Sequence, residues 1–332
     1  MDAIMQWGIS LVLALQNIGG LGSVMKFFTF LGQEEFFLFV MPVVYWCVDA
    51  GLGARLAVVL VTSNVFKLLL KLAFHLPRPY WIDRRVLALA AESSYGLPSG
   101  HAQDAVAIWG FVAAQLRRPW AWAAALVLVF LISLSRVYLG VHFPTDVLGG
   151  WVSGGILLFA FVRWEQPVTA WLRRLNLWPQ IALAFGLSLV YLALTGGALA
   201  LIAPTPDPAE WEQSAVAAVP PEDRERAYGP RRSEDAVTVG GLIFGLGAAL
   251  ALASRHARFN AGGAWAKRAA RFVAGITGIL ILWLGLALVF PDEPFWLAMI
   301  FRYARYALTI FWALFLAPWA FLKIGLAGPE PG

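Results

Sequence analysis

Long stretches without a charged residue constrain this sequence more than any other feature. One of them runs from 175 to 206 without Asp, Glu, Lys or Arg, and others cover 119–135 and 272–291. Each is long enough to cross the ~30 Å hydrocarbon core of a bilayer as a helix. Charged residues make up only 14% of the chain, whereas ordinary soluble domains carry roughly a quarter. The sequence therefore predicts an all-α, polytopic helical membrane protein.

The charge balance and the cysteine content narrow the classes further. A net charge of +5 fits basic cytoplasmic loops and is a weak argument for nucleic acid, so we expect no nucleic-acid partner. Cys47 is the only cysteine, which excludes an internal disulfide and a cysteine-based metal cluster. The N-terminus lacks a basic stretch followed by a cleavage site, so no removable signal peptide is expected. The expected partner is the lipid bilayer, and the sequence names no protein partner.

The apolar segments predict the order of the helices. Residues 2–31 are broken at 19–22, and we expect one or two short helices at the membrane interface, with a full first span as the alternative. Predicted spans follow at about 36–50, 55–74, 99–116, 120–139, 146–164, 178–203, 238–254, 272–290 and 295–324.

Basic loops predict the orientation of these spans. The stretches 117–118, 163–174 and 255–271 are rich in Arg and Lys, and all fall on one side of the membrane under this order of spans. Positive loops face the cytoplasm. The loops at 75–98, 140–145, 204–237 and 291–294 then face outward, and Arg84 with Arg85 is the exception to the rule. We expect a multi-pass protein of the plasma membrane.

Three separated motifs carry ionisable residues at membrane depth or at its boundary. Such residues are costly there, so they indicate a functional role. The motifs are Lys71-Leu72-Ala73-Phe74-His75-Leu76-Pro77-Arg78-Pro79, Pro98-Ser99-Gly100-His101, and the stretch from Ser135 to Asp146. Each lies at the predicted outer end of a span. Singly, each motif has an ordinary reading as a snorkelling cation or a loop that enters a helix. In this order and on one face, they predict a catalytic site.

The third motif predicts a paired histidine and carboxylate. Gly140 and Pro144 indicate a turn between two helices, with Thr145 as the N-cap and Asp146 in the first helical turn. Asp146 lies four residues after His142 and can hold one imidazole nitrogen, which leaves the other as a nucleophile or base.

The inventory of side chains suits phosphoryl transfer. Cations and backbone amides stabilise the negative charge on a transferred phosphoryl group, and a helix that starts at Ser99 and Gly100 adds free N–H groups. A neutral imidazole can attack phosphorus, while a second one acts as the acid and then the base. From the residues alone, either His142 or His101 could be the nucleophile. No cluster of Asp and Glu suggests a divalent metal, so we expect neither a metal nor a cofactor.

The three motifs together resemble the type 2 phosphatidic acid phosphatase family, with the signature Lys-x6-Arg-Pro, Pro-Ser-Gly-His and Ser-Arg-x5-His-x3-Asp. No signature position departs from the pattern. The resemblance implies that His142 is the nucleophile, that Asp146 orients it, and that His101 is the general acid and base. It implies phosphate binding by Lys71, Arg78, Ser99, Gly100 and Arg136.

The resemblance also implies how the chain is divided. We expect 1–175 to form a six-helix-type phosphatase core with N-terminal interfacial helices. We expect 176–332 to be an appended set of transmembrane helices with an outer polar loop at 204–237. That loop could be a lid, a partner contact or a disordered connection, and its polar composition favours the last.

The implied activity is metal-independent hydrolysis of a membrane lipid phosphate or diphosphate at the extracytoplasmic face, through a phosphohistidine. Undecaprenyl diphosphate is the first expectation, on the assumption of a bacterial source. Phosphatidate, phosphatidylglycerophosphate and a sphingoid phosphate are the alternatives. A lipid phosphotransferase, or a non-enzymatic transporter or assembly protein, also remains open.

Overall fold

The computed structural model describes residues 3–291 and 293–330, and its regular elements are helices. Within those residues, β structure is limited to an isolated bridge between Phe259 and Pro329, so the predicted all-α class is confirmed. Asp292, in the predicted outward loop at 291–294, lies outside the described residues. The α-helices are α1 (Ala3–Gln16), α2 (Gly22–Phe30), α3 (Glu34–Val43), α4 (Ala50–Phe74), α5 (Pro79–Ile82), α6 (Gly100–Leu116), α7 (Pro119–Tyr138), α8 (Pro144–Arg174), α9 (Leu177–Ile202), α10 (Ala209–Ala217), α11 (Ser233–His256), α12 (Trp265–Leu280), α13 (Leu286–Val289), α14 (Phe295–Phe311) and α15 (Ala317–Lys323). Short π turns at Val44–Val48, Ile281–Gly285 and Trp312–Leu316 and a 3₁₀ turn at Pro221–Arg226 complete the regular structure.

Seven helical stretches in the described part of the chain are long and apolar enough to cross a membrane. The number rises to eight if Gly22–Phe30 and Glu34–Val48 form one broken span. The multi-pass prediction is therefore confirmed. The largest difference from a predicted bound is at α8, which continues to Arg174 instead of ending near 164. Helix α6 agrees closely with the predicted span 99–116, and its 17 residues give a length of about 25 Å.

The chain forms two compact units, each assembled from three stretches. The first unit contains the residues up to Phe36, then Ser63–Arg163 and Thr195–Arg232, and the second contains Phe37–Thr62, Trp164–Leu194 and the residues from Ser233 onward. This division groups residues by their contacts in the folded chain. The predicted boundary near residue 175 divides the chain by sequence order and stays a prediction.

Helices α6 and α8 of the first unit approach each other closely because α8 presents two glycines one turn apart. A Cβ at Gly150 would lie 2.6 Å from the Ser99 carbonyl oxygen, and one at Gly154 would lie 2.6 Å from that of Gln103. Small residues allow such backbone contact between membrane helices. The start of α6 therefore meets the start of α8, where the Ser99 amide donates to the Asp146 carbonyl at 2.9 Å.

The second unit packs α11 against α14, again through a glycine. A Cβ at Gly241 would lie 2.5 Å from the Tyr303 carbonyl oxygen. Polar anchors accompany the apolar contacts, since Ser188 Oγ donates to the Gly240 carbonyl at 2.8 Å and Trp46 Nε1 donates to the Ala313 carbonyl at 2.9 Å. Buried hydrogen bonds of this kind fix the register of apolar helices.

The segment after α9 has regular structure, which makes the expectation of a disordered connection at 204–237 wrong. It contains α10 and the 3₁₀ turn, and α10 packs on α5 in the first unit. The rings of Trp211 and Tyr228 lie 6.2 and 4.9 Å from the ring of the buried Trp81. Aromatic burial supplies the ordering free energy that the polar composition does not indicate.

Candidate active site

Four helix ends and one loop of the first unit bring the three motifs together. The end of α4 carries Lys71, and the end of α7 carries Arg136. The second motif lies at the start of α6, and Asp146 lies in the first turn of α8. The loop at 75–98 joins them. The turn predicted between α7 and α8 is present, with Gly140 at a φ of 77°. Thr145 is not the N-cap, since α8 already begins at Pro144.

The predicted pair of His142 and Asp146 is formed at the start of α8. His142 Nδ1 lies 3.2 Å from Asp146 Oδ2, and the same oxygen accepts the Phe143 amide at 2.8 Å. On the other face of the ring, Arg78 Nη1 lies 3.1 Å from His142 Nε2. Because a guanidinium can only donate, Nε2 presents its lone pair and the ring proton is on Nδ1, directed at the carboxylate.

Burial and charge both act on the His142 imidazole, which lies in the turn between α7 and α8. Its side chain is fully enclosed. Burial lowers the pKa of His142 well below its ordinary value, and the positive charges of Arg78 and Lys71 lower it further. Both causes disfavour the protonated ring, so the imidazole is neutral at neutral pH.

Backbone oxygens of the loop and the Ser94 hydroxyl hold the two cations of the first motif. Lys71 Nζ donates to Ser94 Oγ at 3.0 Å and to the Tyr95 carbonyl. Arg78 donates from Nε to the Ser94 carbonyl at 2.6 Å and from Nη2 to the Tyr95 carbonyl at 3.2 Å. The next residue, Gly96, has no room for a side chain, since a Cβ there would lie 2.6 Å from the Pro77 carbonyl oxygen. The dipeptide Ser94-Tyr95 is therefore a cradle that orients both cations.

Arg136 is fixed by two residues that no motif contains. One terminal nitrogen donates to Thr29 Oγ1 of α2, and the other is ion-paired with Glu92. Glu92 also lies 3.8 Å from Arg78 Nη2. Burial alone would raise the pKa of the Glu92 carboxyl, but the charges of Arg136 and Arg78 outweigh burial and hold this pKa below its usual range. An anionic group therefore lies against two of the predicted phosphate-binding guanidinium groups.

The second motif presents buried polar atoms that have no hydrogen-bond partner within the described residues. They are Ser99 Oγ and His101 Nε2. Arg136 Nε, which belongs to the third motif, is a further buried atom of this kind. A Cβ at Gly100 would lie 2.5 Å from Lys67 Cδ and would displace the Lys67 side chain. The His101 ring lies against the α2–α3 turn, where a Cβ at Gly32 would be 2.9 Å from His101 Cδ2. Polar atoms left unpaired in a buried site are costly unless a ligand satisfies them.

All eight predicted site residues lie in this one region, and reasoning from the sequence missed three others. Glu92, Ser94 and Thr29 contact the predicted cations directly. Glu92 had a detectable signal, because it is the only charged residue between Arg85 and His101. Ser94 and Thr29 have no sequence signal, since small hydroxyl residues are frequent in loops and helices alike. Among the described residues, no three His, Cys, Asp or Glu side chains are grouped as metal ligands.

Comparison with known proteins shows which families and proteins this chain resembles. The profile of the PAP2 superfamily matches residues 52–170, and that of the PAP2 superfamily phosphatase transmembrane extension matches 237–329. A solved structure of a Bacillus subtilis PAP2-type phosphatidylglycerolphosphate phosphatase matches 51% of this chain and 89% of its own chain at 28% identity, with a TM-score of 0.45.

Three curated relatives are similar to part of this chain. Phosphatidylglycerophosphatase B of Bacillus subtilis is 32% identical over 43% of this chain and 74% of its own length. The undecaprenyl-diphosphatase of Sulfolobus acidocaldarius is 30% identical over 45% of this chain and 73% of its own length. Mouse sphingosine-1-phosphate phosphatase 2 is 31% identical over 40% of this chain, but the match spans only 39% of that protein. With the three motifs assembled in one buried site and two relatives matched over most of their length, the chain belongs to the PAP2 superfamily.

Proposed function

We propose that this protein is an integral membrane phosphatase that hydrolyses a lipid phosphate or diphosphate through a phosphohistidine. The observation that carries the proposal is the His142 ring, held by Asp146 on Nδ1 at 3.2 Å and facing Arg78 with Nε2 at 3.1 Å. A neutral imidazole with an unprotonated Nε2 beside fixed cations is the arrangement that attack on phosphorus requires, and the bound phosphoryl group replaces Arg78 as the partner of the Nε2 lone pair.

The first half of the reaction forms a nitrogen–phosphorus bond. His142 Nε2 attacks the phosphorus atom, and the bond from phosphorus to the leaving oxygen breaks. His101 binds a proton when the negatively charged phosphate lies beside it, and it gives this proton to the leaving oxygen. The equatorial oxygens are neutralised by Lys71, Arg78 and Arg136. At the start of α6, Ser99 Oγ and the amide of Gly100 donate further hydrogen bonds to the phosphate.

The second half returns the protein to its starting state. His101, now neutral, takes a proton from water as the water oxygen attacks the phosphohistidine. The nitrogen–phosphorus bond breaks, and orthophosphate leaves. Asp146 keeps the ring of His142 in the productive tautomer throughout. The three cations supply the charge stabilisation that a divalent metal supplies in other phosphatases, so the reaction needs no added metal.

For the substrate, we propose undecaprenyl diphosphate as the first lipid to test. The activities after which the relatives are named support a lipid phosphate or diphosphate, and one of these relatives is an undecaprenyl-diphosphatase. Phosphatidylglycerophosphate and a sphingoid phosphate are the alternatives that the other relatives support, and phosphatidate completes the panel.

The test is phosphate release by the purified protein in detergent with EDTA present. Undecaprenyl diphosphate, phosphatidylglycerophosphate, phosphatidate and a sphingoid phosphate are compared, with His142→Ala as the control. We expect release by the wild type from at least one lipid, and none above background by the variant. The proposal of a hydrolase would be overturned if the folded wild type released no phosphate. It would also be overturned if the wild type passed the phosphate to a lipid or sugar acceptor instead of water.

We further propose that the site faces out of the cytoplasm across the plasma membrane. The basic turn at Arg117-Arg118 supports this, since it lies at the other end of α6 from Ser99. The test uses a Cys47→Ser background with one new cysteine at an exposed position, Glu222→Cys or Arg118→Cys. A membrane-impermeant maleimide added to intact cells should label the first and not the second. The reverse pattern would refute this orientation.

A further inference from the structure

The segment between α9 and α11 makes a polar contact with the cradle that holds Lys71 and Arg78. Asp207 accepts the Tyr95 hydroxyl at 2.9 Å on both of its carboxylate oxygens. Arg231 Nε donates to the same hydroxyl at 2.7 Å. The Tyr95 side chain is fully enclosed, so its phenol has a fixed position set by this segment.

Arg231 itself is tied down by the same segment. Its Nη1 donates to the Ile202 carbonyl at 2.6 Å, and its Nη2 donates to the Thr205 carbonyl at 2.7 Å and is ion-paired with Asp207. The guanidinium therefore uses its planar fork on four oxygen partners, which a lysine could not do. Arg231 and Asp207 form one rigid polar unit, which we name the latch.

Tyr95 has two ends that serve different groups. Its hydroxyl is held by the latch, while its carbonyl oxygen accepts Lys71 Nζ and Arg78 Nη2. The adjacent Gly229 amide donates to the Ser93 carbonyl at 3.2 Å, which adds a backbone contact to the same loop. A shift of the phenol therefore moves the carbonyl that orients two cations.

We propose that Asp207 and Arg231 are positioning residues for phosphate binding, which act through Tyr95 on Lys71 and Arg78. This inference rests on the proposed function, because it assumes that these cations bind the phosphate. Small misplacements of binding groups cost up to about a hundredfold in catalysis. The segment 204–232 thus supports the reaction although it contains none of the three motifs.

Tyr228 provides a matched control. Its hydroxyl also donates to Asp207, at 2.8 Å, and its ring is likewise packed against the core. No hydrogen bond joins the described atoms of Tyr228 to Lys71 or Arg78. Removal of the Tyr228 hydroxyl costs the latch its bond to Asp207, and removal of the Tyr95 hydroxyl costs it the bonds to Asp207 and to Arg231. Only the Tyr95 hydroxyl belongs to a residue that also contacts the cations.

The experiment compares Tyr95→Phe, Asp207→Asn and Tyr228→Phe in full-length protein. The inhibition constant of orthophosphate, kcat/KM and the unfolding temperature are measured for each. We expect Tyr95→Phe and Asp207→Asn each to raise the inhibition constant about tenfold and to lower kcat/KM by a similar factor. Tyr228→Phe should change both by less than about twofold, with an unfolding temperature at or above that of Tyr95→Phe, which loses one hydrogen bond more.

The double variant Tyr95→Phe/Asp207→Asn separates positioning from general loosening. Both changes interrupt the same path, so the double variant should be no weaker than the weaker single one. Additive losses, equal losses in Tyr228→Phe, or unchanged orthophosphate inhibition in folded Tyr95→Phe would overturn the latch. In each of these cases the wild type still releases phosphate, whereas an inactive wild type would overturn the proposed function instead.

Discussion

The two compact units bury different kinds of side chain. In the described part of the chain, the first unit encloses Lys71, Arg78, Asp104, Arg136, His142 and Asp146, whereas the second encloses one charged side chain, Arg271. Arg271 donates to three carbonyl oxygens at 260–262 and so closes a loop. The first unit's cations converge instead on a shared region with unpartnered polar atoms. Arg271 Nε is also unpartnered, so neither a buried charge nor one unpartnered atom marks a site, whereas several cations that converge on several such atoms do.

The largest expected effect contrasts one buried group from each unit. His142→Ala should lower phosphate release by about 10⁴-fold or more, because the nucleophile is lost, while the unfolding temperature changes little. Arg271→Met should leave kcat unchanged and destabilise the protein by roughly 2–4 kcal/mol, since three carbonyls lose their donor. Activity assays and thermal unfolding in detergent measure both. Loss of kcat in folded Arg271→Met would break the comparison.

The next effect concerns the carboxylate that orients the nucleophile. Asp146→Asn should lower kcat by about 10³-fold, because an amide cannot stabilise the imidazole in the tautomer that leaves Nε2 free. Single-turnover kinetics with a radiolabelled lipid phosphate would show slower formation of the phosphohistidine. Asp104→Asn is the matched control, since Asp104 is also buried in the first unit but is bound to Ser63 and Lys67. A larger loss in Asp104→Asn would contradict the assigned role.

A smaller effect is expected at Glu92, whose carboxylate contacts Arg136 and lies near Arg78. Glu92→Gln removes a negative charge that competes with phosphate for these cations, so orthophosphate should bind about tenfold more tightly. Inhibition by orthophosphate at several salt concentrations measures this. Weaker binding would mean that Glu92 orients the guanidinium groups more than it opposes the phosphate.

The smallest effect is in the pH dependence of the reaction. Protonation of His142 removes the nucleophile, and its lowered pKa means that this loss occurs only as the pH falls below the ordinary histidine value of about 6.5. The acidic limb of kcat/KM should therefore lie below pH 6.5. A limb shared by a phosphate monoester and a diphosphate belongs to the protein and not to the substrate. A shared limb above pH 7 would be inconsistent with a neutral, buried His142.

Much of the site could be predicted from the sequence because its motifs are local. His142 and Asp146 are four residues apart, and one turn of structure is enough to bring them together. The apolar stretches likewise predict membrane helices without any knowledge of their neighbours. The prediction that Thr145 caps α8 was wrong because Pro144, with its fixed φ, already begins the helix.

Only the tertiary structure decided what surrounds the motifs. The phenol of Tyr95 and the carboxylate of Asp207 are 112 residues apart, and neither residue has a pattern that points to the other. The polar composition of 204–237 indicated disorder, but burial of Trp211 against Trp81 orders its first part. Composition and periodicity indicate the local secondary structure and whether a segment lies in lipid or in water. Contacts between distant residues depend on the packing of whole helices, and these contacts hold Arg136 against Glu92 and Tyr95 against the latch.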